Sequence, residues 1–529
     1  MNKSDSSSPA DRRRRRWRLG SAMAGMALCA GLAVGQPAIA APPAKDEVVV
    51  VASLLLQRFD PTQMIATTEY LVNDMLYDGL LNLGPDGKYP ALATSWKISP
   101  DGKQFDFELR KGVKFHNGDP FTAEDVKFTY EQLLKPDNKH TYRKGFVDSI
   151  ERIEVVDPLH VRFILKQPWL AFFSTSRYAL QPIVPKNYYE KVGAKGFQDK
   201  PIGTGPYKLA DMVSGEWTRY EANTAYWGGA PHVRFVKQQL VKEPFTRYAM
   251  LQKGEADIVA GLTGALLDKI AETKDVRVVS ARYSGTSMLF FNLTKFPEAK
   301  DKRVRDAVGY AIDRKQIASK LLKGACQPSD EVITPATFGY LPGLKSLPYD
   351  PAKAKALLKE AGVAPGKEVT FTVNTEASSL PNAPQVLEAI AGNLEAIGLK
   401  IVREPYDMAS WNTMMRGGKQ SGIFYGTSAV PDDAGALLET WYLSKAPFTA
   451  GFVSDPDVDK VFADQLQATD PKVREKILQR FSTLNNERRI SVPLFWCAES
   501  FAVGKRVKNF KPGIGSPYHL KLQSIELVK

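Results

Sequence analysis

The chain has 529 residues, 43% hydrophobic and 24% charged, with 39 Gly and 35 Pro. That balance excludes disordered, collagenous and polytopic membrane classes and leaves room for about three to four domain-sized units. The formal charge of +13 is partly local: residues 1–40 hold seven basic and two acidic residues, and removing them leaves 64 basic against 56 acidic residues with no second basic block, so no nucleic-acid partner is expected.

Residues 1–40 combine a basic run (Lys3, Arg12 to Arg16, Arg18), an apolar stretch over 19–34 and a small-residue end, Ala38-Ile39-Ala40. This is the layout of a cleaved export signal, which places the mature start near Ala41 in an exported, soluble chain. The apolar stretch is too short for a membrane span, and no later run of about 18 apolar residues offers one. Next, VVVVASLLLQRFDP reads as a buried strand running into a turn at Asp60-Pro61, and TTEYLVNDMLYDGLLNL carries helical spacing up to a turn at 84–87. From 91 to 200 short strands alternate with helices, including FDFELR and a hairpin-like pair around Asp157-Pro158. Further strands and the helix EPFTRYAMLQKGEADIVAG follow to 280. The apolar strand YSGTSMLFFNLT then precedes the amphipathic helix DKRVRDAVGYAIDRKQIASKLLKG and a long Pro/Gly-rich connection over 334–351. PAKAKALLKEAG, VTFTVN, APQVLEAIAGNLEAIG and KIVREPYD alternate helix and strand, as crossover βαβ units of a parallel sheet do. The last stretch, ISVPLFWCAESFAVGKRVKNFKP, is again strand-like, and an end that rejoins the beginning links two lobes by more than one crossing.

Catalytic signatures are absent: there is no G-x-S-x-G elbow, S-x-x-K, H-E-x-x-H, P-loop or G-x-G-x-x-G turn. His116, His140, His160, His232 and His519 are widely separated and lack the i, i+4 spacing of a helical metal site, so no metal or other cofactor is expected. Asp432-Asp433 is a candidate cation or acid/base pair, but in PDDAGALLETWYL it also reads as the cap of a helix starting near Ala434. Trp411 and Tyr425 flank irregular, Gly-containing segments where aromatics serve as pocket walls or as core. After removal of the leader two cysteines remain, Cys326 and Cys497, whose pairing the sequence leaves open.

Several ordered blocks resemble the family 5 solute-binding proteins of ABC transporters, the peptide and nickel group. They are ALATSWKISPDGKQFDFELRKGVKFHNGDPFTAEDVKFTY at 91–130, PIGTGPYKL at 201–209, NTAYWGG at 223–229, LFFN with RVRDAVGYAIDR within 289–314, and VPLFW at 492–496. As turns and a helix start these residues make sense as scaffold, Thr122 capping the helix that begins AEDV. The resemblance implies an α/β clamshell of the type II periplasmic binding-protein kind. It has two lobes joined by hinge strands, lobe I at 41–90, 201–280 and 501–529, an extra subdomain of lobe I at 91–200, and lobe II at 281–500. It further implies a monomer that encloses a solute and delivers it to the importer's membrane permease, with no reaction catalysed.

Peptide-binding members hold the ligand's amino terminus with an Asp in a segment resembling G-W-x-x-D, followed by Asp-Pro. The matching stretch here is IFYGTSAVPDDAG, in which Thr427 stands nearest the Asp position. A hydroxyl in place of a carboxylate gives up roughly 1.5 to 3 kcal/mol of charge-assisted hydrogen bonding. The leading expectation is a peptide or peptide-like solute, with sugars, opine-like conjugates, amines and metal chelates as alternatives and a secreted hydrolase as the rival class. Candidate ligand contacts are Phe59, Tyr283, Thr286, Trp411, Tyr425, Thr427 and Asp432, with Trp411 and Tyr425 stacking on the solute and Asp432 receiving a cationic group.

Overall fold

Strand β1 (Glu47–Ala52) is the predicted apolar run, with Val48 to Val51 all at most 5% exposed. The computed structural model describes residues 44–55, 57–64, 75–84, 87–140, 143–174, 181–262, 266, 269–270, 272–375, 380–416, 418–429, 433–446, 448–449, 452, 455–512 and 522–528. The export leader and most of the helix expected after Asp60-Pro61 lie outside these residues. A hairpin of β2 (Leu81–Gly84) and β3 (Gly87–Pro90) leads into a four-stranded antiparallel sheet. Its order is β4 (Ala93–Ile98), β5 (Gln104–Leu109), β7 (His160–Leu165) and β6 (Ile150–Asp157). The alternation of FDFELR buries Phe105, Phe107 and Leu109 against Phe163, Phe172 and Tyr130, a core of this sheet's own. The 91–130 motif is scaffold here. Gly102 takes the left-handed turn before Lys103 (φ 69°), and the Asp125 carboxylate accepts the Thr122 backbone N–H at 2.8 Å at the start of the helix Ala123–Leu134.

The chain then adds β8 (Tyr207–Val213), β9 (Trp217–Ala222), β10 (Phe235–Leu240), β11 (Ile258–Val259) and the sixteen-residue β12 (Val276–Phe291). Ahead of β8, the glycines of PIGTGPYKL lie against the backbone of Leu76 and Tyr77. A Cβ on Gly205 would come within 2.5 Å of the Tyr77 nitrogen, so no larger residue fits. Beyond β12 come the helix Lys302–Ala311, the short β13 (Cys326–Pro328), and alternating helices and strands: Pro351–Glu360, β14 (Glu368–Asn374), Ala383–Ala396, β15 (Lys400–Tyr406), Met408–Arg416 and β16 (Ile423–Ala429). Helices Ala434–Trp441, Pro456–Gln467 and Pro471–Arg488 precede β17 (Val492–Gly504).

These strands form one large sheet in the order β15-β14-β16-β12-β17-β11-β1-β10-β9-β8, with β13 also paired to β17. Two parallel sets lie within it, β10-β1-β11 and β15-β14-β16, the second being the βαβ succession that the helix–strand alternation predicts. Antiparallel β12 and β17, paired from Val276 opposite Gly504 to Leu289 opposite Val492, run from one set to the other. Each set has its own cores. Val48, Tyr207, Val236 and Phe501 cover one face of the first set, and Val49, Leu251 and Ala502 the other. Leu289, Phe371, Ile390 and Val492 cover one face of the second, and Phe290, Phe424, Trp441 and Leu478 the other. Cys326 and Cys497, opposite one another in the β13–β17 ladder, are joined by a disulfide.

Candidate functional site

Strand β11 lies beside Ala502 and Val503 of β17 and runs toward Glu499. Strand β16 runs antiparallel to β12 and ends with Ala429 opposite Gly285. The carboxyl ends of both parallel sets are therefore directed at one short stretch, 281–285 of β12 and 497–499 of β17. In open α/β sheets, ligands bind in the crevice beyond the carboxyl ends of parallel strands.

The ladder breaks at this stretch. Ala281 pairs with Glu499 and Gly285 with Cys497, so β12 carries two extra residues in a bulge. Within it Tyr283 adopts a left-handed conformation (φ 59°), which costs a non-Gly residue about 1–2 kcal/mol. Its ring meets Trp496 edge-on at 5.9 Å; Trp496 in turn packs edge-on with Tyr340 at 6.1 Å and donates its Nε1–H to the Glu331 carbonyl at 2.8 Å. Two carboxylates adjoin these strands. Glu331 is 3% exposed and accepts the Leu341 N–H at 3.1 Å; burial pushes its carboxyl up to about 7. Glu499 is partly exposed and accepts the Gly261 N–H at 3.1 Å, just past the end of β11. Burial also pushes this carboxyl up to about 7, against the opposing pull of that hydrogen bond and of the Arg247 charge. Arg247 spends its terminal nitrogens on the carbonyls of Val241, Lys242 and Gly261 at 2.7, 2.7 and 2.6 Å, tying together the segments that follow β10 and β11.

Three of the candidate residues lie at or beside this stretch of β12 and β17. Tyr283 is in the bulge, Thr286 pairs with Trp496 and Ser428, and Thr427 lies opposite Ser287, its hydroxyl donating to the Thr286 carbonyl at 3.3 Å. Thr427 is partly exposed, whereas Thr286 is 1% exposed. The aromatic candidates sit in cores. Tyr425 is fully buried with Leu289, Phe371 and Ile423, its hydroxyl beside Thr427 and Ser287, and burial raises its ionisation well above the usual phenol range. Trp411 packs with Met414, Met415 and Phe424. Phe59 is 1% exposed among Val48, Tyr77 and Tyr207, with its N–H donating to Gln198 at 2.7 Å and its carbonyl accepting from the Tyr77 hydroxyl at 2.6 Å. The expected stacking surfaces are thus packing surfaces in this conformation, because burying an apolar ring against other apolar side chains is favoured over leaving it in water.

Asp432 lies outside the described residues. Its neighbour Asp433 does cap the following helix, accepting the Gly435 N–H at 2.8 Å, and also holds Arg474 in a buried two-point ion pair at 2.6 and 2.9 Å. Sequence reasoning missed Glu331 and Glu499, although Glu499 left a signal as a lone acid inside the apolar run ISVPLFWCAESFAV. His116 serves the scaffold: its Nδ1 accepts the Gly203 N–H at 3.2 Å and its Nε2 lies 3.0 Å from the Gly205 carbonyl.

Residues 88–448 match the family described as bacterial extracellular solute-binding proteins, family 5 middle. The chain belongs to this family. Family 5 proteins are solute-binding components of ABC importers, and this chain is one of them. It is 32% identical to the glutathione-binding protein GsiB of Salmonella choleraesuis over 458 residues, covering 84% of this chain and 88% of the relative. Identity to heme-binding protein A of Haemophilus influenzae is 26% over 486 residues, or 87% of this chain and 88% of that protein. Among solved structures, the periplasmic binding protein DppA of Helicobacter pylori, in complex with the peptide STSA, superposes with a TM-score of 0.79 at 25% identity, covering 91% of this chain and 98% of that one. The substrate-binding protein CtaP of Listeria monocytogenes shares the fold with a TM-score of 0.82 at 22% identity, over 91% of this chain and 99% of that one. The family 5 fold is the type II clamshell, and no helix among the described residues is long and apolar enough to cross a membrane.

Proposed function

We propose that this family 5 protein captures a peptide or peptide-like solute between its two halves and presents the closed form to the importer's permease as a monomer, binding and releasing without making or breaking a bond. The observation that carries this reading is the convergence of two parallel strand sets, carboxyl ends first, on a junction crossed by two strands. A solute seated there touches both halves only when they are shut, and so draws an open–closed equilibrium toward the closed state. A micromolar solute supplies about 8 kcal/mol, enough to drive a closure of a few kcal/mol. The halves divide near 280 and 500, with 91–200 an added subdomain on the first, and the partly exposed Tyr283 and Thr427 line the crevice with Thr286 buried beside them. Relatives named for glutathione or solved with a short peptide support the peptide-like class. Residues 1–40 act as the export leader that delivers the chain to the periplasm.

The test is mass spectrometry of whatever is released on denaturing gently purified protein, followed by thermal-shift titration with the solute found. At a hundredfold excess over the dissociation constant, the native state gains about 2.7 kcal/mol. Stoichiometric release of an unmodified peptide-like molecule is the expected result. Multiple turnover of the solute, or a released solute without amide or amino-acid character, would overturn the reading.

A further inference from the structure

β17 has thirteen residues, and Glu499 is the one with a charged side chain. Side chains alternate along a strand, so Glu499 shares a face with Cys497 on one side and with Phe501 and Val503 on the other. Those neighbours belong to different cores: Cys497 packs with Leu289 and Val492 of the second strand set, Phe501 and Val503 with Val48 and Val236 of the first. Glu499 stands where one core has ended and the next has not begun. It is partly exposed and lies at the point to which both sets of carboxyl ends are directed.

We propose that Glu499 is the group at which the crevice receives an ammonium group of the solute. The assignment rests on the solute-capture reading above and narrows it to solutes bearing a free amine. The Gly261 N–H orients the carboxylate from the first half, while Arg247, whose terminal nitrogens are engaged by three carbonyls, acts on it as a nearby charge. On the same face of the sheet, the partly exposed Thr427 presents its hydroxyl from the second half, whereas Ser287 opposite it is buried and donates to the Phe495 carbonyl at 3.3 Å. An ammonium held by Glu499 therefore sits at the pivot while the remainder of the solute reaches the other half. Low surrounding polarity strengthens such a charge-assisted hydrogen bond. A purely structural role, in which Glu499 only ties β17 to the segment after β11, predicts no preference for charged over neutralised amines.

The experiment compares calorimetric titrations of wild type, Glu499→Gln and Glu499→Asp with trialanine, glutathione and their N-acetylated counterparts. Gln keeps an acceptor for the Gly261 N–H, and thermal unfolding of each variant establishes that it is folded. The expected result is that wild type prefers a free-amine probe over its acetylated form by at least tenfold. Glu499→Gln loses that margin, and Glu499→Asp retains part of it. A margin that survives in Glu499→Gln overturns the assignment, as does wild type binding acetylated and free probes equally; both leave solute capture standing. Wild type that binds none of the four probes removes the peptide-like reading and the assignment together.

Discussion

Replacing both Cys326 and Cys497 with Ala tests the bond that joins β13 to the crossing strand β17. The two cysteines are 171 residues apart, so the disulfide closes a loop containing most of the second strand set and its cores. In the chain-entropy account a closed loop of that length withholds about 17 cal/mol/K from the unfolded ensemble, or about 5 kcal/mol at 25 °C. The thiol atoms are buried in a core that either residue type can fill, so the effect resides mainly in the unfolded chain. Urea unfolding should therefore show the double variant, and wild type under reductant, losing about 2–5 kcal/mol in the transition that reports the second half, with the slope altered by the less restricted unfolded chain. Solute affinity should change far less than stability, because neither sulfur faces the crevice from an exposed position. Equal midpoints with and without reductant, or two titratable thiols in unreduced denatured protein, would refute the reasoning.

Other perturbations address separate parts of the molecule. Arg474→Met strands the Asp433 carboxylate, which is 0% exposed, and should cost about 3–5 kcal/mol by urea unfolding. Glu331 holds its proton more tightly in the folded chain than in the unfolded one, so folding is favoured at pH 4.5 and below and loses ground as pH rises through about 7. The loss is on the order of 3 kcal/mol by pH 8, and Glu331→Gln should abolish it in unfolding curves compared at pH 5 and pH 8. Tyr283→Gly relieves about 1–2 kcal/mol of left-handed strain but forfeits an edge-on ring contact of about 0.5–1.5 kcal/mol. Stability should thus stay within roughly 1 kcal/mol while solute retention, followed by equilibrium dialysis, weakens.

Much of the architecture was legible in the sequence because periodicity and turn chemistry act locally. The apolar run at 47–52, the alternation of FDFELR, the helix–strand succession through 351–406 and the apolar C-terminal run each announce their element. The site was harder to read. Tyr425 and Trp411 look the same in sequence whether they face a solute or a helix, and only the packed neighbours decide between these environments. The β12 bulge leaves no composition signal, since its extra residues become visible only when the partner strand is known. Asp433 is legible as a cap, but its partner Arg474 lies 41 residues away and follows from no local rule. Glu499 could have been found by asking why a charge interrupts a strand otherwise fit for burial.

Because β12 and β17 are hydrogen-bonded to each other on both sides of their mismatch, a swing of one half against the other has little freedom to slide or shear. A swing of the halves would then be channelled into the few residues where the ribbon lacks regular rungs, retracing a single arc from one cycle to the next. A receptor in the membrane would then meet two repeatable silhouettes rather than a continuum, and could read occupancy from shape alone.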